Sequence, residues 1–133
     1  MRIRRETDYA VRCVLYLAGR PEGKAAIAEI AGEMEIPPSF LPKIVQKLVK
    51  AGLLSSAQGV GGGVRLLKKP GEISLYDIVD RMEEGGAGMN DCVIENRGCH
   101  RSPFCAVHPA WVEIREVVEK KLKSYTFDRF LKG

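Results

Sequence analysis

Residues 36–66, IPPSFLPKIVQKLVKAGLLSSAQGVGGGVRL, carry the pattern that decides the fold. Pro37 and Pro38 break the chain. Beyond them Phe40, Leu41, Ile44, Val45, Leu48 and Val49 recur at helical spacing and are expected to face inward. Proline fits the first turn of a helix and disrupts its interior, so Pro42 fixes where this helix starts. Ser39 is the expected N-cap, or the helix opens on Pro38, and Gly52 is the expected residue just past its end. Two short extended runs follow, 53–58 and 64–68, joined by Gly59-Val60-Gly61-Gly62-Gly63. That is the pattern of a β-hairpin with a glycine-rich tip.

Upstream, Thr7 caps a first expected helix that runs to about Ala18, with Ala10, Val11, Val14, Leu15, Leu17 and Ala18 as a wide apolar stripe. A second helix is expected over 25–34, where Ile27, Ile30, Ala31 and Met34 fall at i, i+3, i+4 and i+7. Helix, short turn, helix, ribbon is the order of a winged helix–turn–helix, whose second helix enters the major groove by its N-terminal residues. On that helix Ser39, Phe40, Lys43, Gln46 and Lys47 are the candidate DNA contacts. Lys43 suits guanine or phosphate, Gln46 adenine, and Lys47, like Lys50, phosphate. At the hairpin the candidates are Gln58, Gly59 and Arg65, where glycine permits close backbone approach to DNA.

Downstream, Ser74-Leu75-Tyr76-Asp77 is a capping box with Asp in the Glu/Gln place, opening a helix to about Glu84. Residues 85–108 show no period, which is long for an ordered loop without a functional reason. A long helix is expected over 109–124, with Trp111, Ile114, Val117, Val118 and Leu122 on one side, and a short one over 126–131. The expected fold is therefore mostly α with a small β-hairpin. It divides into a winged helix–turn–helix domain (1–84), a cysteine loop (85–108), and a long C-terminal helix with its tail (109–133).

The chain has 133 residues, enough for one domain or one with an appendage. Its net charge of +4 is uneven: residues 1–70 hold 12 Lys/Arg against 6 Asp/Glu, and residues 71–133 hold 9 against 11. The cationic surplus coincides with the half that carries the DNA-reading pattern. No apolar run reaches a membrane span and no secretory leader opens the chain, so a cytoplasmic protein with no membrane partner is expected. Nothing points to an enzyme. There is no Ser/His/Asp set, and the glycine run lacks the Lys-Ser/Thr ending of a phosphate-binding loop.

Cys92, Cys99 and Cys105 are separated by six and five residues, and two more precede His108. All four lie in the loop, where the backbone is free to fold them about one centre. Three thiolates and an imidazole are donors for zinc and for an iron–sulfur cluster alike. The wide gaps, without any Cys-x₂-Cys pair, suit the larger cluster. A structural zinc ion or a thiol/disulfide switch remains the alternative. Cys13, in the apolar run of the first helix, reads as core, and His100 as a solvated loop residue.

Several motifs in order resemble the Rrf2 family of bacterial transcription regulators, in particular its iron–sulfur members of the IscR and NsrR type. They are Met1-Arg2-Ile3 through Thr7-Asp8-Tyr9-Ala10-Val11, Ile36-Pro37-Pro38-Ser39-Phe40-Leu41, Gly61-Gly62-Gly63 into Val64-Arg65-Leu66, and the three-cysteine loop with the helix after it. The resemblance implies a homodimer joined through the long C-terminal helix, each subunit presenting one winged helix to half of a double-stranded DNA operator. It also implies a cluster at Cys92, Cys99 and Cys105. In the IscR-like form this is 2Fe–2S with His108 as fourth ligand, which the Cys105-Ala106-Val107-His108 run favours. In the NsrR-like form it is 4Fe–4S with an Asp from the first helix of the other subunit, matched by Asp8. Asp8 has a second role open to it, because a carboxylate at a helix N-terminus favours the macrodipole. One departure stands out: many members carry an Arg in the wing where this chain has the shorter, neutral Gln58.

Overall fold

The computed structural model describes residues 2–59, 61–94 and 97–131. The described residues form five α-helices and a three-stranded sheet: α1 (Arg5–Ala18), β1 (Lys24–Ala25), α2 (Ile27–Glu33), α3 (Leu41–Lys50), β2 (Leu54–Ala57), β3 (Gly63–Leu66), α4 (Leu75–Met82) and α5 (His108–Lys123). The sheet order is β1-β3-β2, antiparallel throughout. The expected hairpin is therefore β2 and β3, and the two-residue β1 adds an edge strand from a segment that reads as the start of a helix.

One core joins the elements of the winged domain. Leu17 of α1, Ile30 of α2, Leu41, Ile44 and Leu48 of α3, Leu54 of β2, Val64 of β3, and Ile78 of α4 are all fully buried together. Each lies on the apolar stripe of its own element, so the stripes meet in one place. Phe127, from the 3₁₀ turn Phe127–Phe130, is buried in the same cluster. It is brought there by backbone pairing: Phe127 N–H donates to Ile73 O (3.0 Å) and Leu75 N–H to Tyr125 O (2.9 Å). The tail thus closes over the start of α4.

Local differences from the expected elements have physical causes. Thr7 lies inside α1, fully buried, and its hydroxyl donates to the Glu83 carboxylate at the end of α4 instead of capping. The helix begins three residues earlier, with Arg4 in the N-cap place, where Glu83 fixes its entry. The turn before α3 is closed by Phe40 N–H to Pro37 O (3.0 Å), so Phe40 takes the N-cap place and Pro42 sits in the first turn. Phe40 is 49% exposed and Val49 37%, so these two leave the inward stripe. The Ser74–Asp77 capping box forms in both directions, with Ser74 N–H to Asp77 Oδ2 at 2.8 Å and Asp77 N–H to Ser74 Oγ at 3.3 Å. No described helix is long and apolar enough to cross a membrane.

Candidate DNA-binding surface and cysteine loop

The recognition helix is seated by aromatic and ionic contacts from α1. Tyr9 packs against Phe40 with ring centroids 5.9 Å apart, and the Arg12 guanidinium lies over the Tyr9 ring, 5.3 Å from its centre. Ser39, Phe40, Lys43 and Gln46 are exposed, and the buried side of α3 is formed by Leu41, Ile44, Val45 and Leu48. One face of a ten-residue helix is therefore committed to the core and the opposite face to solvent, with its N-terminal end outward. Lys47 differs from Lys43. Its ammonium is 2.8 Å from Glu6 of α1 and is half-buried, so its charge is already engaged within the subunit.

The wing is compact. Gly62 N–H donates to Gly59 O (3.0 Å), folding the tip back on itself. A Cβ on Gly62 would stand 2.4 Å from the Ala57 carbonyl oxygen, and one on Gly63, at φ +133°, would stand 2.7 Å from that of Ala25. Glycine is needed at both places because the tip lies backbone against backbone on β2 and β1. Gln58, Gly59 and Arg65 are exposed, and the Lys24 ammonium of β1 donates to Gly61 O at the tip. Val60, within the expected tip, lies outside the described residues.

The cysteine loop lies between α4 and α5. Cys92 falls in the 3₁₀ turn Asp91–Val93 and is half-buried, Cys99 is exposed, and Cys105 is half-buried three residues before α5 begins at His108. Cys92 and His108 line one cavity of about 330 Å³ with Val93, Val112, Arg115, Glu116 and Glu119. His108 Nδ1 is buried and has no hydrogen-bond partner among the described residues. Arg115 of α5 donates to the Val93 carbonyl, tying the turn that holds Cys92 to the last long helix. Among the described residues, no three His, Cys, Asp or Glu side chains are close enough to share one metal ion. The donor types are those a cluster takes, but the described residues do not gather three of them at one point. Cys92 and His108 share a cavity; Cys99 and Cys105 do not line it. Asp8, on α1, is paired with Arg12 at 3.0 Å and stands in the first helical turn, where a carboxylate favours the macrodipole. Cys13 is fully buried, and burial pushes its thiol up to about 12, as suits a core residue.

The profile of the Rrf2 family, described as an iron-dependent transcriptional regulator, matches residues 3–133. The chain belongs to the Rrf2 family. Among its relatives, Protein aau3 of Rhizobium meliloti (strain 1021) is 34% identical over 134 residues, covering 100% of this chain and 86% of that protein. Of the solved structures, CymR, the global cysteine regulator of B. subtilis, is similar with a TM-score of 0.75 at 26% identity, covering 98% of this chain and 95% of that one. IscR of T. potens matches in fold with a TM-score of 0.74 at 24% identity, covering 98% and 85%. As an Rrf2 protein this chain is a DNA-binding transcription regulator and not an enzyme.

In this Rrf2 chain, four contacts that sequence alone did not disclose join the parts. Arg4 donates to Met82 O and pairs with Glu83, and Thr7 donates to the same carboxylate, so the start of α1 is bound to the end of α4 where the cysteine loop departs. Arg115 holds the 3₁₀ turn that carries Cys92 to α5. An Arg or Thr reaching across nearly eighty residues leaves no local pattern to read. Lys24 was likewise not legible as a wing residue, because a two-residue strand has no periodicity.

Proposed function

We propose that this Rrf2 regulator binds operator DNA as a homodimer and that its binding responds to an iron–sulfur cluster held by Cys92, Cys99 and Cys105. His108 is the fourth ligand of a 2Fe–2S centre in this reading, and the partner subunit's Asp8 serves in the 4Fe–4S alternative. The supporting observation is that His108, whose buried Nδ1 has no partner among the described residues, lines one cavity with Cys92. A buried imidazole nitrogen without a partner carries a desolvation cost that ligation would remove. Ser39, Phe40, Lys43 and Gln46 contact the major groove, Lys47 shares its charge with Glu6, and Gln58, Gly59 and Arg65 contact DNA from the wing. Residues 1–84 form the reading domain, 85–108 the sensing loop and 109–133 the dimer helix and tail.

When bound, a cluster supplies iron–thiolate bonds that oxidants or nitric oxide break. The chain's own residues supply the coupling. The loop leaves α4 at Glu83, whose carboxylate holds Thr7 of α1 and Arg4 just before it, and α1 in turn seats Phe40 at the tip of α3 through Tyr9. Arg115 holds the turn beside Cys92 to α5. A change in the order of residues 83–93 therefore bears on both the recognition helix and the dimer helix, and loop state and DNA affinity are reciprocally linked.

Iron and acid-labile sulfide, assayed on anaerobically purified protein, test the reading together with DNA binding before and after their removal. Equal iron and sulfide, with altered DNA affinity on removal, is the expected result. Zinc in their place, or a thiol-dependent change with no metal after reconstitution, replaces the cluster with a structural ion or a disulfide switch, for which the exposed Cys99 thiol is suited.

A further inference from the structure

The wing's own residues are poor in charge. From Leu54 to Leu66 the sole cation is Arg65. The structure adds a second from outside the hairpin. Lys24 of β1 stands directly opposite Arg65 across the β1–β3 pair, with Ser55 opposite Arg65 on the other side, so Lys24, Arg65 and Ser55 form one row across the sheet. Val64 and Leu66 on either side of Arg65 are buried, and Arg65 is exposed, so this row faces outward. Like charges directly opposite each other on antiparallel strands are destabilising. Among the described residues no carboxylate pairs with either one, although Arg12, Arg20 and Lys47 are each paired within the chain. Two adjacent, uncompensated cations beside a tip packed backbone against backbone fit an anion supplied by a partner.

We propose that Lys24 is the wing's DNA-backbone residue: its ammonium holds a phosphate while its bond to Gly61 O fixes the tip that lies beside that phosphate. An ammonium has three donors, and the Gly61 carbonyl takes one, leaving two for phosphate oxygens. Lys24 thereby supplies from the sheet edge the charge that the neutral Gln58 does not supply from the tip. The inference rests on the DNA-binding assignment and is independent of the cluster.

Phosphate contacts are counted by the salt dependence of binding, which requires no knowledge of the operator. A labelled duplex of mixed sequence, titrated with the full-length protein by fluorescence anisotropy from low to physiological salt, provides the slope of log K against log salt. Lys24→Met and Lys24→Gln are both expected to make the slope shallower by about one per bound subunit. Lys24→Gln retains an N–H for Gly61 and loses only the charge, and Lys24→Arg retains both and keeps the wild-type slope. A wild-type slope in both Lys24→Gln and Lys24→Met overturns the inference. So does a loss of affinity with no change of slope, since that makes Lys24 a latch and not a phosphate contact. Wild-type protein that shows no salt-dependent binding overturns the DNA-binding assignment itself, a result separable from either.

Discussion

Lys43 and Lys47 sit one turn apart on the same helix and carry the same charge, yet Glu6 holds only one of them. A phosphate that recruits Lys47 must share it with a carboxylate 2.8 Å away, whereas Lys43 is exposed and open to solvent. Lys43→Ala is therefore expected to weaken operator binding by roughly tenfold, at the low end of the ~1–3 kcal/mol of a good base contact. It should leave metal content unchanged. Lys47→Ala should weaken it less, and Glu6→Gln, which frees Lys47, should strengthen it. Equal losses for the two lysines in a DNA titration would mean that the Glu6 pair opens on binding. Cys13 presents the opposite kind of residue. Burial keeps its thiol protonated at neutral pH, so it should be silent to a thiol reagent in the native, metal-free protein while Cys92, Cys99 and Cys105 react. A fourth fast-reacting thiol before unfolding would show that the α1 core opens readily.

The elements were legible in the sequence where a local rule governs them and obscure where a distant contact does. Ser74 and Asp77 announce the start of α4 because a capping box needs only four consecutive residues. Ser74→Ala removes the oxygen that accepts from Asp77 N–H, and the expected cost is about 1 kcal/mol, read as a lowered thermal midpoint. No change in the midpoint would show that the Ser74–Thr126 bridge alone holds this turn. That bridge, and the burial of Phe127 that follows from it, left no trace in the sequence beyond a short terminal helix, since pairing across some fifty residues has no period. The wing lies between these cases. Its glycines marked a turn, but Gly62 is required by the Ala57 carbonyl across the hairpin and Gly63 by that of Ala25, which becomes a neighbour only when β1 joins the sheet. The cysteine loop shows the same limit. Its candidate donors were plain from residue type, while the cavity joining Cys92 to His108, and the Arg115 bond to Val93, depend on how α5 lies against the loop.

At the scale of the molecule, α5 is out of balance. It is sixteen residues long, contains Trp111, Val112, Ile114, Val117, Val118 and Leu122, and has no fully buried residue within the subunit. Val107, just before it, is 53% exposed, Ile114 39% and Val117 61%. A helix with this many apolar side chains and no buried one needs a second surface, and a copy of the same helix meets that need with closed twofold symmetry. The proposed dimer locates the two recognition helices on one duplex, so its loss should be felt on DNA. Val117→Asp is the direct test, because so exposed a position tolerates a carboxylate within the subunit, whereas a dry interface would leave the charge unpaired. Sedimentation equilibrium should show a monomer, with the far-UV circular dichroism of the wild type. DNA affinity should fall on the order of a hundredfold, because each half-site is then bound without the effective concentration that the linked partner provides. If Val117→Asp remains a dimer with wild-type affinity, the subunits meet elsewhere. The exposed face of α5 would then require another partner, and the coupling from the Cys92 turn through Arg115 would end on that partner instead of on the second recognition helix.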